Sequence, residues 1–200
     1  MDRSIVFSVH DLKLYPITDP GDASTDPTYG TAVDVPGVSE VTLESSITEE
    51  MLRGDGRIID SRSVLDSLSL SFTYGKLDPA VLAVLDGGTA ETGSGPSLGT
   101  TRYVRTGADI IPSFGFAALV SEVDSPGGAA KIYGYNSKIN GGSLFGASDN
   151  SYNEPSFDAM VIPLVVDPNP LFAIDLEDTG TALPADGTGL IATYAALPAA

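Results

Sequence analysis

Apolar and polar residues alternate along much of this chain at period two, the spacing that puts successive side chains on opposite faces of a strand. From Ser4 to Ile17, Ile5, Phe7 and Val9 alternate and Leu12, Leu14 and Ile17 follow, which predicts an extended strand or strand pair. The clearest pattern runs from Gly37 to Tyr74. Val41, Leu43 and Ile47 interleave with Glu40, Thr42, Glu44 and Ser46, so this strand has an apolar and a polar face. Arg53-Gly54-Asp55-Gly56 then supplies turn chemistry, and the run through Ile58 and Ile59 completes a predicted hairpin. Between Asp66 and Tyr74, Leu68, Leu70, Phe72 and Tyr74 face one way, while Ser67, Ser69, Ser71 and Thr73 form a carpet of small hydroxyls on the other side.

One helix of about two turns is predicted next, because Asp78 is an N-cap residue, Pro79 suits the first helical position and Gly87-Gly88 suits a left-handed stop. Val81, Leu82, Val84 and Leu85 give it an apolar stripe. Phe114 to Val123 and Ala129 to Ile139 read as a second hairpin around the turn Asp124-Ser125-Pro126-Gly127-Gly128. Phe157 to Val166 is apolar on both faces, as in a buried central strand or one covered by a neighbouring subunit, although Pro163 argues against full pairing. The segments Asp19 to Thr31, Gly87 to Gly99 and Gly141 to Pro155 read as loops, Asp167 to Pro170 as turns, and Leu183 to Ala200 as a partly mobile tail rich in Ala, Gly, Thr and Pro. The expected fold is mainly β, sandwich- or barrel-like, with one short flanking α-helix and long loops. A single β domain over 1–175 precedes an Ala/Gly/Pro-rich arm or tail over 176–200.

Composition narrows the function. Ten basic against 27 acidic residues give a net charge of −17, which repels nucleic acid over most of a surface and disfavours a conventional DNA binder. A channel lined by carboxylates would instead keep a passing phosphate backbone from sticking. No basic residue follows Lys138, so the C-terminal third must face water, cations or a basic partner. The chain has no cysteine, and it has neither an apolar leader nor a stretch of membrane-spanning length, so a soluble intracellular chain with no membrane partner is expected.

Chemistry is sparse. His10 is the only histidine, which rules out a metal site with two imidazoles, and it reads as an exposed or structural strand residue. No nucleophile elbow, zinc-protease motif or phosphate-binding glycine loop occurs. The absence of tryptophan counts against a glycosidase, which uses such rings to stack sugars. Arg53-Gly54-Asp55 matches an integrin-binding tripeptide but reads as ordinary hairpin chemistry, and Asp149 to Glu154 offers oxygen ligands without the spacing of an EF-hand. No cofactor, metal or catalytic residue is expected, and the chain is read as a non-enzyme.

The segment from Val41 to Thr89, with Leu52-Arg53-Gly54-Asp55, Ser61 to Asp66, Ser71 to Leu77 and Val81 to Thr89 in that order, resembles the major tail tube proteins of long-tailed, non-contractile bacteriophages. The resemblance implies hexameric rings stacked into a tube, with inner sheets closed into one barrel and long loops or a hairpin reaching the adjacent ring. Its partners would be copies of itself and other tail proteins (tape measure, terminator and baseplate). DNA would pass through without specific binding, and the protein would be made in the host cytoplasm and reside in the virion tail. Either Glu40, Thr42, Glu44 and Ser46 or Ser67, Ser69, Ser71 and Thr73 would face the bore. The loop carrying Asp19, Asp22, Asp26 and Tyr29 is the candidate contact between rings, because a segment that orders on assembly must be long and mobile. The alternatives are a capsid decoration protein or a carbohydrate-binding β-sandwich, and the tube of a contractile tail or type VI secretion system.

Overall fold

The computed structural model describes residues 6–54, 57–93, 99–122, 128–143, 154–166, 169–177 and 180–195. All but Gly128 of the expected turn Asp124–Gly128, all but Glu154 of the acidic stretch Asp149–Glu154, Asp55 and Gly56 of the hairpin tip, Ile5, residues 94–98, residues 167–168 and the last five residues lie outside these. The elements are β1 (Val6–Asp19), β2 (Thr28–Tyr29), β3 (Val33–Asp34), β4 (Val38–Gly54), β5 (Arg57–Tyr74), α1 (Pro79–Asp86), β6 (Thr89–Thr92), β7 (Thr101–Val104), β8 (Ser113–Glu122), β9 (Ala129–Ser143), β10 (Ser156–Val161), β11 (Phe172–Glu177) and α2 (Gly187–Ala195).

The fold is mainly β, as the alternation predicts. Nine strands form one antiparallel sheet in the order β2-β1-β8-β9-β10-β5-β4, with β3 beside β1 and β11 beside β9, while β6 and β7 form a separate hairpin. The sheet curls until β1 meets β4. Its concave face buries Leu12, Leu14, Leu68, Leu70, Phe72, Tyr74, Phe114, Phe116 and Phe157 against Val81, Leu82, Val84 and Leu85 of α1. Phe72, Tyr74 and Phe157 stack there with centroids 5.8–6.3 Å apart. Helix α1 has the predicted caps: the Asp78 carboxylate accepts from the Ala80 N–H at 2.8 Å, and Gly87 takes φ 84° and donates its N–H to the Ala83 carbonyl. A side chain at Gly87 would be strained by that φ and would also meet the Ile110 carbonyl.

The convex face has a second core of Tyr15, Tyr29, Tyr133, Tyr135, Leu164, Val166, Leu183 and Leu190. Burial raises the Tyr15 and Tyr133 hydroxyl pKa values far above the ordinary tyrosine value, so both stay protonated, and Tyr15 donates to the Pro184 carbonyl at 2.7 Å. These contacts correct the expectation of a mobile tail. From Leu183 to Ala195 the chain packs on the sheet and forms a second helix, in which Leu190 is buried and Thr193 lies 3.0 Å from the Tyr135 hydroxyl.

Three further expectations change. Phe157 to Val166 is a strand only as far as Val161, ending before Pro163; it is centrally paired, yet Asp158 and Met160 are exposed, so only one face is buried. Part of the expected loop Gly87 to Gly99 is strand β6, held to β7 by an ion pair between Arg102 and Glu91. Ile47, expected on the core face, is 60% exposed.

Candidate functional site: a polar sheet face and a projecting hairpin

Residues opposite one another in an antiparallel pair share a face. The register of β4 and β5 pairs Glu40 with Thr73, Thr42 with Ser71, Glu44 with Ser69 and Ser46 with Ser67. The acidic row and the hydroxyl carpet, which alternation leaves as two rival surfaces, therefore form one surface. On β10 it continues through Ser156, Asp158 and the exposed apolar Met160, opposite Thr73, Ser71 and Ser69, and on β9 through Lys138, Gly141 and Ser143. Ser71 Oγ donates to Asp158 at 2.7 Å, and the Ser39 and Thr73 hydroxyls lie 2.8 Å apart. Glu40, Glu44 and Asp158 supply its carboxylates, and Lys138 is the one cation of this four-stranded patch; all four are exposed.

The patch also has two edges with no hydrogen-bonded strand beside them among the described residues, although β1 lies close to the β4 edge. Strand β4 pairs only with β5 among the described residues. At the other side, β8 reaches β9 no further than Ser113 opposite Lys138, which leaves Ile139 to Ser143 without a strand neighbour there among the described residues. A pocket of about 250 Å³ borders this edge, lined by Ile111, Ile139, Asn140 and Gly141 among others. The strands β4, β5, β10 and β9 alternate in direction, so the two free edges run opposite ways.

Beyond the patch the β4–β5 hairpin leaves the body. Strand β10 stops at Val161 opposite Leu68, and every side chain described from Glu44 to Met51 and from Arg57 to Asp66 is exposed. Nine residues from Ser46 to Gly54 at ~3.4 Å each extend the arm roughly 30 Å. A one-residue irregularity between Ser46 and Ile47 sets Ile47 opposite Leu65, and the core-side face continues outward past Glu49 and Ser63 to Met51, opposite Ser61, and Ile58; its large apolar members are Ile47, Met51, Ile58 and Leu65. These four are 45–60% exposed.

The loop from Asp19 to Thr31 is not an extension of the same kind. Asp22 bridges Thr25, its carboxylate accepts from the Ser24 N–H at 2.8 Å and hydroxyl at 2.9 Å, and these bonds lower its pKa below the ordinary aspartate value. Asp19 accepts from Gly21 N–H at 3.0 Å, and Asp26 is exposed. Tyr29 corrects the expectation of an outward contact, because its ring is in the convex core and its hydroxyl donates to the Tyr135 carbonyl at 2.7 Å.

Elsewhere, polar clusters fasten elements together. Buried Asp86, at the end of α1, accepts from the Tyr103 hydroxyl at 2.8 Å and pairs with Arg105, tying the β6–β7 hairpin to the helix. Buried Lys131 binds Glu177 at 2.8 Å and lowers that carboxyl below its ordinary value, fixing β11 to β9. His10 is exposed on β1, and among the described residues no three His, Asp or Glu side chains gather as a metal site. No described helix is long and apolar enough to cross a membrane. Comparison with known protein families and with curated protein sequences finds no match.

Proposed function

We propose that the chain is a structural, non-catalytic subunit of a phage tail tube, closing into hexameric rings that stack around a polar, acidic bore through which DNA passes. The observation that carries this is the four-stranded polar face with free edges of opposite direction. An unpaired edge is a template for another strand. Here β4 of one copy meets β9 of the next antiparallel, so a ring extends the sheet with the same ladder used inside each subunit. Closing the ring removes both edges and brings the polar faces to one side.

That side suits a conduit. Short hydroxyl side chains keep the wall hydrated, and Glu40, Glu44 and Asp158 repel phosphates, so a duplex moves along it without being held. The arm, about 30 Å of exposed hairpin, reaches a copy in the adjacent ring, a role expected above of the loop Asp19 to Thr31. Tape measure, terminator and baseplate proteins would cap and fill the assembled tube.

Electron microscopy of the purified chain over a series of salt concentrations tests the proposal. Hollow rings or tubes with sixfold symmetry are expected, favoured at higher ionic strength because screening weakens repulsion between subunits of charge −17. A monodisperse monomer at high concentration throughout the series would overturn it.

A further inference from the structure

We infer that Lys138 keys one copy to the next: its ammonium, on the β9 edge of the polar face, pairs with the Glu44 carboxylate on the β4 edge of a second copy. The inference rests on the proposed ring and names the contact that sets its seam.

Beyond Leu68 and Ser137 the sheet divides, one branch being the β4–β5 arm and the other β9 with β11. Lys138 stands directly below this fork, opposite Met160 of β10 and Ser113 of β8, and it is exposed. It makes no ion pair among the described residues, although the patch around it is acidic. The charges are sorted by edge. Glu40 and Glu44 lie on β4 and the ammonium on β9, three strand spacings or about 14 Å away, too far to meet within one chain. Asp158, on the strand between, is already bonded to Ser71.

This sorting selects how copies meet. Two β4 edges paired about a two-fold axis would bring Glu40 and Glu44 of both copies together, whereas β4 against β9 joins opposite signs and leaves each copy one edge of each kind to continue the ring. The rows that cross the patch then place the contact. Glu44 is level with Ser69, Met160 and Lys138, and Glu40 with Thr73, Ser156 and Ser143. Edge-to-edge addition preserves faces, so the first row carried over the seam sets Lys138 of one copy beside Glu44 of the next. Closing a barrel requires stagger, and a stagger of two residues either way keeps the faces and leaves the carboxylate diagonal to the ammonium, a separation that long side chains span. Larger shifts meet obstacles in the chain itself. The open edge of β9 runs from Ile139 to Ser143, so a slide one way sets the arm against β8 and a slide the other way runs out of β4 at Val38.

The core side of the same seam agrees. The pocket of about 250 Å³ is lined there by Ile139, Gly142 and Phe157. The half-buried Val41 and Leu43 of a second copy come to this side, Leu43 level with Ile139 and Val41 level with Gly142, which has no side chain to exclude it. A second copy thus supplies a carboxylate on one face and apolar side chains on the other.

Lys138→Glu and Glu44→Lys each reverse one side of the pair, and a chain carrying both restores opposite signs at every seam while keeping the net charge at −17. The assembled fraction is read by sedimentation, with thermal unfolding of the dilute monomer, expected unchanged at these exposed positions, as the check on folding. Each single reversal is expected to weaken assembly ~10-fold or more, and the double to recover it to within about 3-fold of the unsubstituted chain. Glu44→Lys discriminates best, because it lowers the net negative charge and general repulsion alone would make it assemble better. Glu44→Lys assembling as well as the unsubstituted chain, or a double no better than the weaker single, would overturn the pairing and leave the proposed ring standing. Absence of any assembly by the unsubstituted chain would sink both. A second measure needs no substitution: carbodiimide condenses a touching ammonium and carboxylate into an amide, taking up the water as its urea. A covalent dimer linked through Lys138 and Glu44 is expected in assemblies and not in dilute protein, and a Lys138 link to Asp158 of its own chain alone would overturn the inference.

Discussion

The two halves of the β4–β5 hairpin are made of the same strands in the same ladder, yet their environments are opposite. In the lower half Val41 faces Phe72 and Leu43 faces Leu70, and these β5 side chains disappear into the concave core beneath α1. In the upper half Ile47 faces Leu65 and both stand in solvent. Backbone pairing is thus not what distinguishes a stable part of this molecule from an unfinished one; the distinction lies in whether a second layer covers the apolar face. An isolated two-stranded hairpin is marginal in water, so the upper half depends on the lower half to hold it and on a neighbour to bury it.

The sharpest way to break the comparison is to truncate matched positions. Phe72→Ala in the lower half removes a ring buried against Tyr74 and Phe157, and a loss of about 3–5 kcal/mol is expected in urea unfolding of the monomer. Leu65→Ala in the upper half is expected to change that midpoint by no more than about 0.5 kcal/mol while reducing the assembled fraction in sedimentation. Equal losses of monomer stability at the two positions would show that the arm is packed in solution. A smaller effect separates cap from contact. Asp78→Ala is expected to cost about 1 kcal/mol, by freeing the Ala80 N–H at the start of the helix that covers the lower half, without altering assembly.

The least effect concerns pH and the other branch of the sheet. The Lys131 ammonium holds the Glu177 carboxyl below its ordinary value of 4.5. A depressed carboxyl contributes stability that is present above its unfolded pKa and is lost as pH falls through the folded one. Unfolding midpoints should therefore drop for the unsubstituted chain as pH is lowered from 5 toward 3, and Glu177→Gln should flatten that part of the profile. An unchanged slope in the variant would remove Glu177 from the account.

Local rules made much of this legible in the sequence. Period two located β5 and its buried row, and Asp78, Pro79 and Gly87 marked both ends of α1 because caps are written in single residues. What periodicity leaves out is register. That Glu40 and Ser71 share a surface depends on which residues pair across the hairpin, and the apolar character of Ile47 gives no warning that the core-packed row of β4 stops at Leu43. The doublets Val64-Leu65 and Ile58-Ile59, which disturb strict alternation, are the signs in the sequence that the hairpin outgrows the body. Helix α2 was masked by its composition, since Gly, Thr and Ala in Gly187–Ala195 look like linker until Leu190 finds the pocket between the tyrosines. Tyr29 departs from the expectation for a related reason: a polar loop can hide one residue whose ring anchors it.

The even number of strands in the polar face has a consequence for size. Four alternating strands present edges that join antiparallel whatever the number of copies, so strand direction places no limit on how many subunits a ring holds. Each added copy would lengthen the circumference by four strand spacings, about 19 Å, and widen the bore by about 6 Å. Calibre in such a ring is an integer quantity, set by the angle at one repeated seam, and a substitution that altered the curl of a single subunit would be read out as a tube of different gauge.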